Sequence, residues 1–287
     1  MAPLLLKTFS LEQIPDLAGK VMIVTGLKAC VDAAENFGRL EERCDVLVAN
    51  AALSIMPGVL TVDGYEIQFA TNHLGHFAFI SHLLPLIKKT SVEYGEARVV
   101  VVASHAHSMY KVDANNGINF DDLTVSKEQD LTKLSDIQPS LQRYARSKLA
   151  NIQYTRALHR RLEREGFNRI FVNCLNPGTI GSSTFGSTSA PHLPSWIKIL
   201  SQGIVRMTSI SSADGALTSI MLATDPEIVE KDIKGRYFDV GPLAGKFVYG
   251  YSYEAEEKLS GFARNDAMGE SLWEWSGLAL RKALGGK

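Results

Sequence analysis

Cysteine is scarce in this 287-residue chain, which carries only Cys30, Cys44 and Cys174. An odd count, with two of the three at apolar helix or strand positions, leads us to expect reduced, buried thiols rather than a disulfide framework. Long hydrophobic runs are missing as well. No stretch approaches the roughly 18 uninterrupted apolar residues of a membrane span, so none is expected. The short apolar start over residues 1–6 lacks the basic segment and long apolar run of a signal peptide. Together these absences predict a cytoplasmic protein. Excess charge is also lacking: a net charge of −1 gives no electrostatic reason to expect nucleic acid or acidic lipid as a partner. There is no internal repeat, low-complexity tract or Asn-x-Ser/Thr sequon. The remainder is 45% hydrophobic, enough for a single domain over 1–287 with a large core.

Short β-branched runs are plentiful. Arg98-Val99-Val100-Val101-Val102-Ala103-Ser104 reads as a strand buried on both faces of a parallel sheet, ending at Ser104. Asp45-Val46-Leu47-Val48-Ala49-Asn50-Ala51-Ala52 is a second such strand, closing in Asn and small residues. Ile170 to Gly178 is a third, broken by Pro177-Gly178. Apolar residues recur at helical spacing from Gly64 to Lys88, with Asn72 in the first half. Open α/β sheets place their sites at the carboxyl ends of the strands, which is where Asn50 and Ser104 fall.

Tyr144 and Lys148 stand four residues apart in Tyr-Ala-Arg-Ser-Lys. On a helix that spacing stacks a phenol and an ammonium on one face. A fixed positive charge would lower the phenol from its ordinary pKa, and a lowered phenol can trade protons with a substrate oxygen. The same spacing also suits an ordinary exposed pair, so the surroundings must decide.

In these ordered motifs the chain resembles the short-chain dehydrogenase/reductase family, specifically its retinol-dehydrogenase-like and fungal biosynthetic members. Asn50-Ala51-Ala52 matches the family's Asn-Ala-Gly turn beneath the adenine-ribose part of the cofactor. Asn72 matches the asparagine that holds a relay water, and Ser104 the serine that hydrogen-bonds the substrate oxygen. Tyr144 matches the proton donor, and Lys148 the residue that lowers its pKa and binds the nicotinamide ribose. Pro177-Gly178-Thr179-Ile180 matches the turn beside the nicotinamide, where Ile180 and Ser182 would face the cofactor. The resemblance covers nearly the whole chain. It implies a Rossmann-like doubly wound α/β fold, an NADP cofactor with NAD still open, and reduction of a carbonyl. It also implies a homodimer or homotetramer built on two long helices.

One departure is large. Val21-Met22-Ile23-Val24-Thr25-Gly26 opens the family's glycine-rich turn, in which backbone N–H groups and a helix N-terminus meet a pyrophosphate. Leu27-Lys28-Ala29-Cys30 follows, and the two later glycines are absent. The step from Gly26 to Asn50 spans only 24 positions, without room for two further strands and their helices. Thr25 and Gly26 remain as candidate cofactor contacts. Leu27, Cys30, Val31, Ala34, Phe37 and Leu40 recur every three or four residues, predicting an amphipathic helix of about four turns. Such a helix suffices for a right-handed crossover, so the sheet is expected to be truncated, with the strand over 21–25 paired directly to that over 46–50. The first of these then becomes an uncovered edge. An incomplete or mis-spliced coding sequence and a scaffold that has shed half its dinucleotide site both explain the gap.

Other segments have plainer readings. His73 and His76, with His105 and His107, have no carboxylate or thiolate pattern to complete a metal site, and packing or substrate-facing roles are expected. His159-Arg160-Arg161 with Arg164 and Arg169 reads as a solvated helix face mixed with Glu163 and Glu165. Trp273 and Trp275 should anchor the last helix, within an extension over 243–287. Residues 1–18 form a lead-in. Residues 181–210 read as a lid that, with Tyr110, Phe185, Trp196 and Ile199, would close on a lipophilic small-molecule substrate; plain core is the other reading. Three functions follow: an NAD(P)H-dependent reductase or dehydrogenase, possible in secondary-metabolite biosynthesis; a cofactor-poor scaffold for dehydration, isomerisation or cyclisation; and a non-catalytic binding or dimerisation module.

Overall fold

The computed structural model describes residues 7–8, 22–24, 30–54, 56–110, 117–127, 134–178, 212–243, 246–252 and 255–285. Seven strands form one sheet: β1 (Lys7–Thr8), β2 (Met22–Val24), β3 (Val46–Ala49), β4 (Ala97–Val102), β5 (Ile170–Asn176), β6 (Tyr237–Leu243) and β7 (Lys246–Ser252), in the spatial order β1-β7-β6-β5-β4-β3-β2. Strands β2 to β6 run parallel. β7 returns antiparallel to β6, and β1 pairs antiparallel with β7. The longer helices among the described residues are α1 (Cys30–Leu40), α2 (Gly75–Glu93), α3 (Leu134–Arg164), α4 (Ser212–Thr224) and α5 (Asp266–Ala283).

The β-branched runs lie at the centre because both faces of the sheet are covered. Every residue of β4 and β5 is buried. Val99 and Val101 point into the core shared with Phe77, Leu149 and Leu272, whereas Val100 and Val102 point to Met221 and Leu222 of α4. This alternation is the period of two of a strand, and burial of both of its phases is what a doubly wound sheet requires.

The expected truncation is present. Met22, Ile23 and Val24 pair in register with Val46, Leu47 and Val48, and α1 alone makes the crossover between them. Among the described residues no strand lies on the far side of β2. The described part of the crossover helix, Cys30–Leu40, makes eleven residues or three turns, and Leu27 of the predicted stripe lies outside the described residues. Ala34 is buried, and Cys30 and Phe37 pack against the core. Leu40 departs from the predicted stripe and is 81% exposed, because the helix ends there and the chain turns toward β3.

Both late tryptophans anchor α5. Trp275 stacks on Phe120 with ring centres 5.0 Å apart and meets Tyr65 and Phe69 edge-on. Trp273 stacks on Tyr154 at 5.5 Å. Such pairs contribute about 1 kcal/mol each beyond the area they bury. Among the described residues no helix is long and apolar enough to cross a membrane.

Candidate active site

The carboxyl ends of β3, β4 and β5 bring the candidate residues to one edge. Ser104 lies two residues beyond β4, with extended backbone (φ −165°, ψ 151°), and caps a 3₁₀ turn over His105–Met109. Its Oγ accepts a hydrogen bond from the Ala106 N–H at 3.2 Å. The same serine stands close enough to the Tyr144 phenol to lower its pKa. Lys148 is fully buried and donates to the Val102 carbonyl at 2.9 Å. Its Nζ lies 5.6 Å from the centre of the Tyr144 ring. Asn151 Nδ2 donates to the same carbonyl at 3.3 Å. Residues 144, 148 and 151 share one helix face by their spacing, so the last carbonyl of β4 fixes where α3 sits. Ser104, Tyr144 and Lys148 are thereby brought together.

Asn72 joins the cluster through scaffolding contacts. It lies in a π-helical turn, Ala70–Leu74, that leads into α2. Its Oδ1 accepts from the Leu53 N–H at 2.7 Å, and its Nδ2 donates to the Leu53 carbonyl and to Ser147 Oγ, both at 2.9 Å. Ser147 donates in turn to the Tyr144 carbonyl at 2.7 Å. Both N–H groups of the amide are thus committed, and the side chain clamps the turn after β3 to the tyrosine helix. A one-turn π insertion swells the helix locally and turns Asn72 inward, as such insertions often do at sites.

The remaining candidates divide. Asn50 is exposed just after β3, with Ala51 half-buried beside it. Pro177 and Gly178 follow β5, and Gly178 adopts φ 81°, a left-handed conformation that favours glycine. Thr25, Gly26, Ile180 and Ser182 lie outside the described residues, as do the lid over 181–210 and its Phe185, Trp196 and Ile199. Tyr110 is described and half-buried.

Electrostatics here run against the simple expectation. Burial pushes the Tyr144 phenol up, and the neighbouring Ser104 only partly offsets this. Lys148 does not pull the phenol down. Burial instead drives the lysine itself down to about 7, since no carboxylate stands beside it to repay the lost hydration. The pair is therefore a protonated phenol beside an ammonium poised to lose its proton near neutrality. His73 and His76 are buried and pushed to about 3, His76 with a further contribution from the nearby Lys148 charge. His73 Nε2 lies 2.8 Å from Ser276 Oγ on α5, and His107 Nδ1 lies 2.8 Å from the Ser104 carbonyl. Among the described residues no three His, Cys, Asp or Glu side chains converge as a metal site would need.

Sequence reasoning missed Ser147, Asn151 and the Val102 carbonyl. Ser147 and Asn151 lie three and seven residues beyond Tyr144, a helical spacing that could have flagged them.

No protein-family model matches the chain. Over 236 residues it is 37% identical to human retinol dehydrogenase 14, an alignment covering 82% of the chain and 58% of that protein. It is 32% identical over 243 residues to a short chain dehydrogenase/reductase of Colletotrichum higginsianum, covering 80% of the chain and 57% of the relative. The chain belongs to the short-chain dehydrogenase/reductase family. An uncharacterized oxidoreductase of Schizosaccharomyces pombe is 36% identical over 210 residues, 72% of the chain and 56% of its own length. This short-chain dehydrogenase/reductase thus spans less than two thirds of the length of these relatives. An uncharacterised protein of Mycobacterium paratuberculosis, known from a crystal structure, shares the fold with a TM-score of 0.64 at 20% identity, over 96% of this chain and 98% of the other.

Proposed function

We propose that the protein is an NAD(P)H-dependent reductase or dehydrogenase acting on a carbonyl or alcohol of a lipophilic small molecule. The observation that carries this reading is the gathering of Ser104, Tyr144 and the buried Lys148 at the carboxyl edge of the sheet, with Ser104 close enough to the Tyr144 phenol to lower its pKa. The described edge suits the nicotinamide-ribose half of the cofactor. Lys148 is a three-donor ammonium that makes one hydrogen bond among the described residues, to Val102, and so retains donors for a ribose hydroxyl. Asn50, Ala51, Pro177 and Gly178 line the same edge, and Thr25, Gly26, Ile180 and Ser182 complete the proposed set.

When bound, the reduced cofactor supplies hydride to the carbonyl carbon. Tyr144 gives its phenolic proton to the carbonyl oxygen, and its raised pKa keeps that proton in place at neutral pH. Ser104 donates a hydrogen bond to the same oxygen as negative charge builds there. Lys148, titrating near 7, returns a proton to the phenolate. Asn72 serves through its main chain and by fixing the turn after β3. NADPH is the preferred cofactor, the resemblance to fungal biosynthetic members supports a place in secondary metabolism, and a cytoplasmic homodimer or homotetramer is the working assembly.

Titration of the purified protein with NADPH and NADH, followed by nicotinamide fluorescence, tests the cofactor. Saturable binding is expected, and silence with both sinks the redox reading. Tyr144→Phe is expected to abolish turnover while leaving the melting temperature within a few degrees of wild type; near-normal turnover would overturn the assignment.

A further inference from the structure

A cavity of about 460 Å³ lies along a second face of α3, between that helix and the segment that follows β4. Gln142, Arg143 and Arg146 form its helical wall, and Tyr110, Asp122 and Lys127 face them. Arg143 and Arg146 are three residues apart and about a third of a turn or more from Tyr144, so they present a different stripe of the helix. Neither Ser104 nor Tyr144 is among the described residues lining it. The mouth is built rather than loose. Lys127 N–H donates to the Gly58 carbonyl at 2.7 Å, and a Cβ at Gly58 would lie 2.7 Å from the Lys127 carbonyl, so only glycine admits this approach.

Arg146 stands out among the charged groups lining this cavity. Arg143 lies 3.3 Å from the buried Glu66 carboxylate and donates to the Met56 carbonyl at 2.6 Å. Lys127 donates to Asp122 at 3.2 Å. Arg146 has the same Asp122 as its ion-pair partner, at 3.8 Å and already shared with Lys127. Its charge also acts on the neighbouring Tyr110 phenol. Its side chain is 5% exposed, and its Nε is buried without a hydrogen-bond partner. Among the described residues Arg146 therefore has only a carboxylate at 3.8 Å that it shares with Lys127. A buried guanidinium with so distant a counter-charge is costly to hold unless an anion completes it.

We infer that this cavity binds a small organic acid through its carboxylate, with Arg146 as the principal partner and Lys127 at the mouth. A planar carboxylate matches the fork of a guanidinium, and the volume lies within the range of small-molecule sites. The amide of Gln142 and the Tyr110 ring give the rest of the acid a mixed polar and apolar wall.

Calorimetric titration of the full-length protein with succinate, and with succinamide as the uncharged match, tests the assignment. Saturable succinate binding is expected, with succinamide silent. Arg146→Met, which keeps the aliphatic stem, is expected to weaken succinate about tenfold or more. Lys127→Gln, on an exposed side chain, is expected to weaken it about threefold. Should Arg146→Met fail to fold, Arg146→Lys keeps the charge but loses the fork, and is expected to weaken succinate measurably. Equal binding of succinamide, absence of saturation with succinate, or affinity unchanged in Lys127→Gln and in whichever Arg146 variant folds would overturn the inference.

Discussion

Replacing Lys148 by Met should stabilise the protein, and by an amount that depends on pH in a defined way. In the unfolded chain the lysine holds its proton up to about 10.5, whereas in the fold burial releases it near 7. Between these values the unfolded state binds more protons, so the native state gains stability as pH rises through that window. At pH 7 the buried ammonium costs roughly 4 kcal/mol, and by pH 9 this falls to roughly 2 kcal/mol. Methionine fills a similar volume without charge, and Asn151 still donates to Val102. After about 1 kcal/mol for the lost hydrogen bond, Lys148→Met should gain about 3 kcal/mol at pH 7 and about 1 kcal/mol at pH 9. Urea unfolding of both proteins at the two pH values measures this. Because the cysteines and tyrosines are common to both, their titration cancels in the difference. Parallel stability profiles for wild type and variant would refute the argument, showing that Lys148 is either solvated or paired in the native state.

The buried histidines make a test of the same sign at acid pH. His73 and His76 stay neutral down to about 3 while unfolded histidines protonate near 6.5, so stability falls as pH drops from 6.5. The loss should be about 3 kcal/mol by pH 5, and His76→Leu should remove about half of that dependence in the same unfolding assay. Asn72→Ala strands the Leu53 backbone groups and Ser147 Oγ, and should cost about 2–4 kcal/mol by chemical denaturation; a cost below about 1 kcal/mol would show that water replaces the amide. Gly235 has φ 67°, and a Cβ there would lie 2.4 Å from His159 Cδ2, so Gly235→Ala should cost about 1–3 kcal/mol. Gly38, inside α1 with nothing within 4 Å of its would-be Cβ, should behave the other way, gaining about 0.5–1 kcal/mol on change to Ala in a thermal melt.

Much of the fold was legible because β-branched runs buried on both faces leave few other readings. The run at 98–102 could only be a central strand, and the short step from Gly26 to Asn50 could only be bridged by one helix. Ser104, Tyr144 and Lys148 were found from spacing and resemblance together. What escaped was the sign of an energy. Four-residue spacing reports that a phenol and an ammonium are neighbours, but not that the ammonium is fully buried and the phenol partly so, and desolvation outweighs their mutual influence. The clamp that the Asn72 amide makes escaped for a related reason: a π-helical turn reorients a side chain without leaving a mark on periodicity. The cavity of Arg143 and Arg146 was hidden because it is assembled from α3 and from loops distant in sequence.

The Val102 carbonyl receives two hydrogen bonds, one from Lys148 and one from Asn151, on successive turns of α3. Double anchorage makes one of the two tethers dispensable. The ammonium can swing toward an arriving partner while the amide keeps its grip, so reorienting the charge need not shift the helix. The post that holds the ammonium is thus fixed independently of the ammonium itself, and changes to the amide tether alone would shift how firmly α3 holds Tyr144 at the sheet edge.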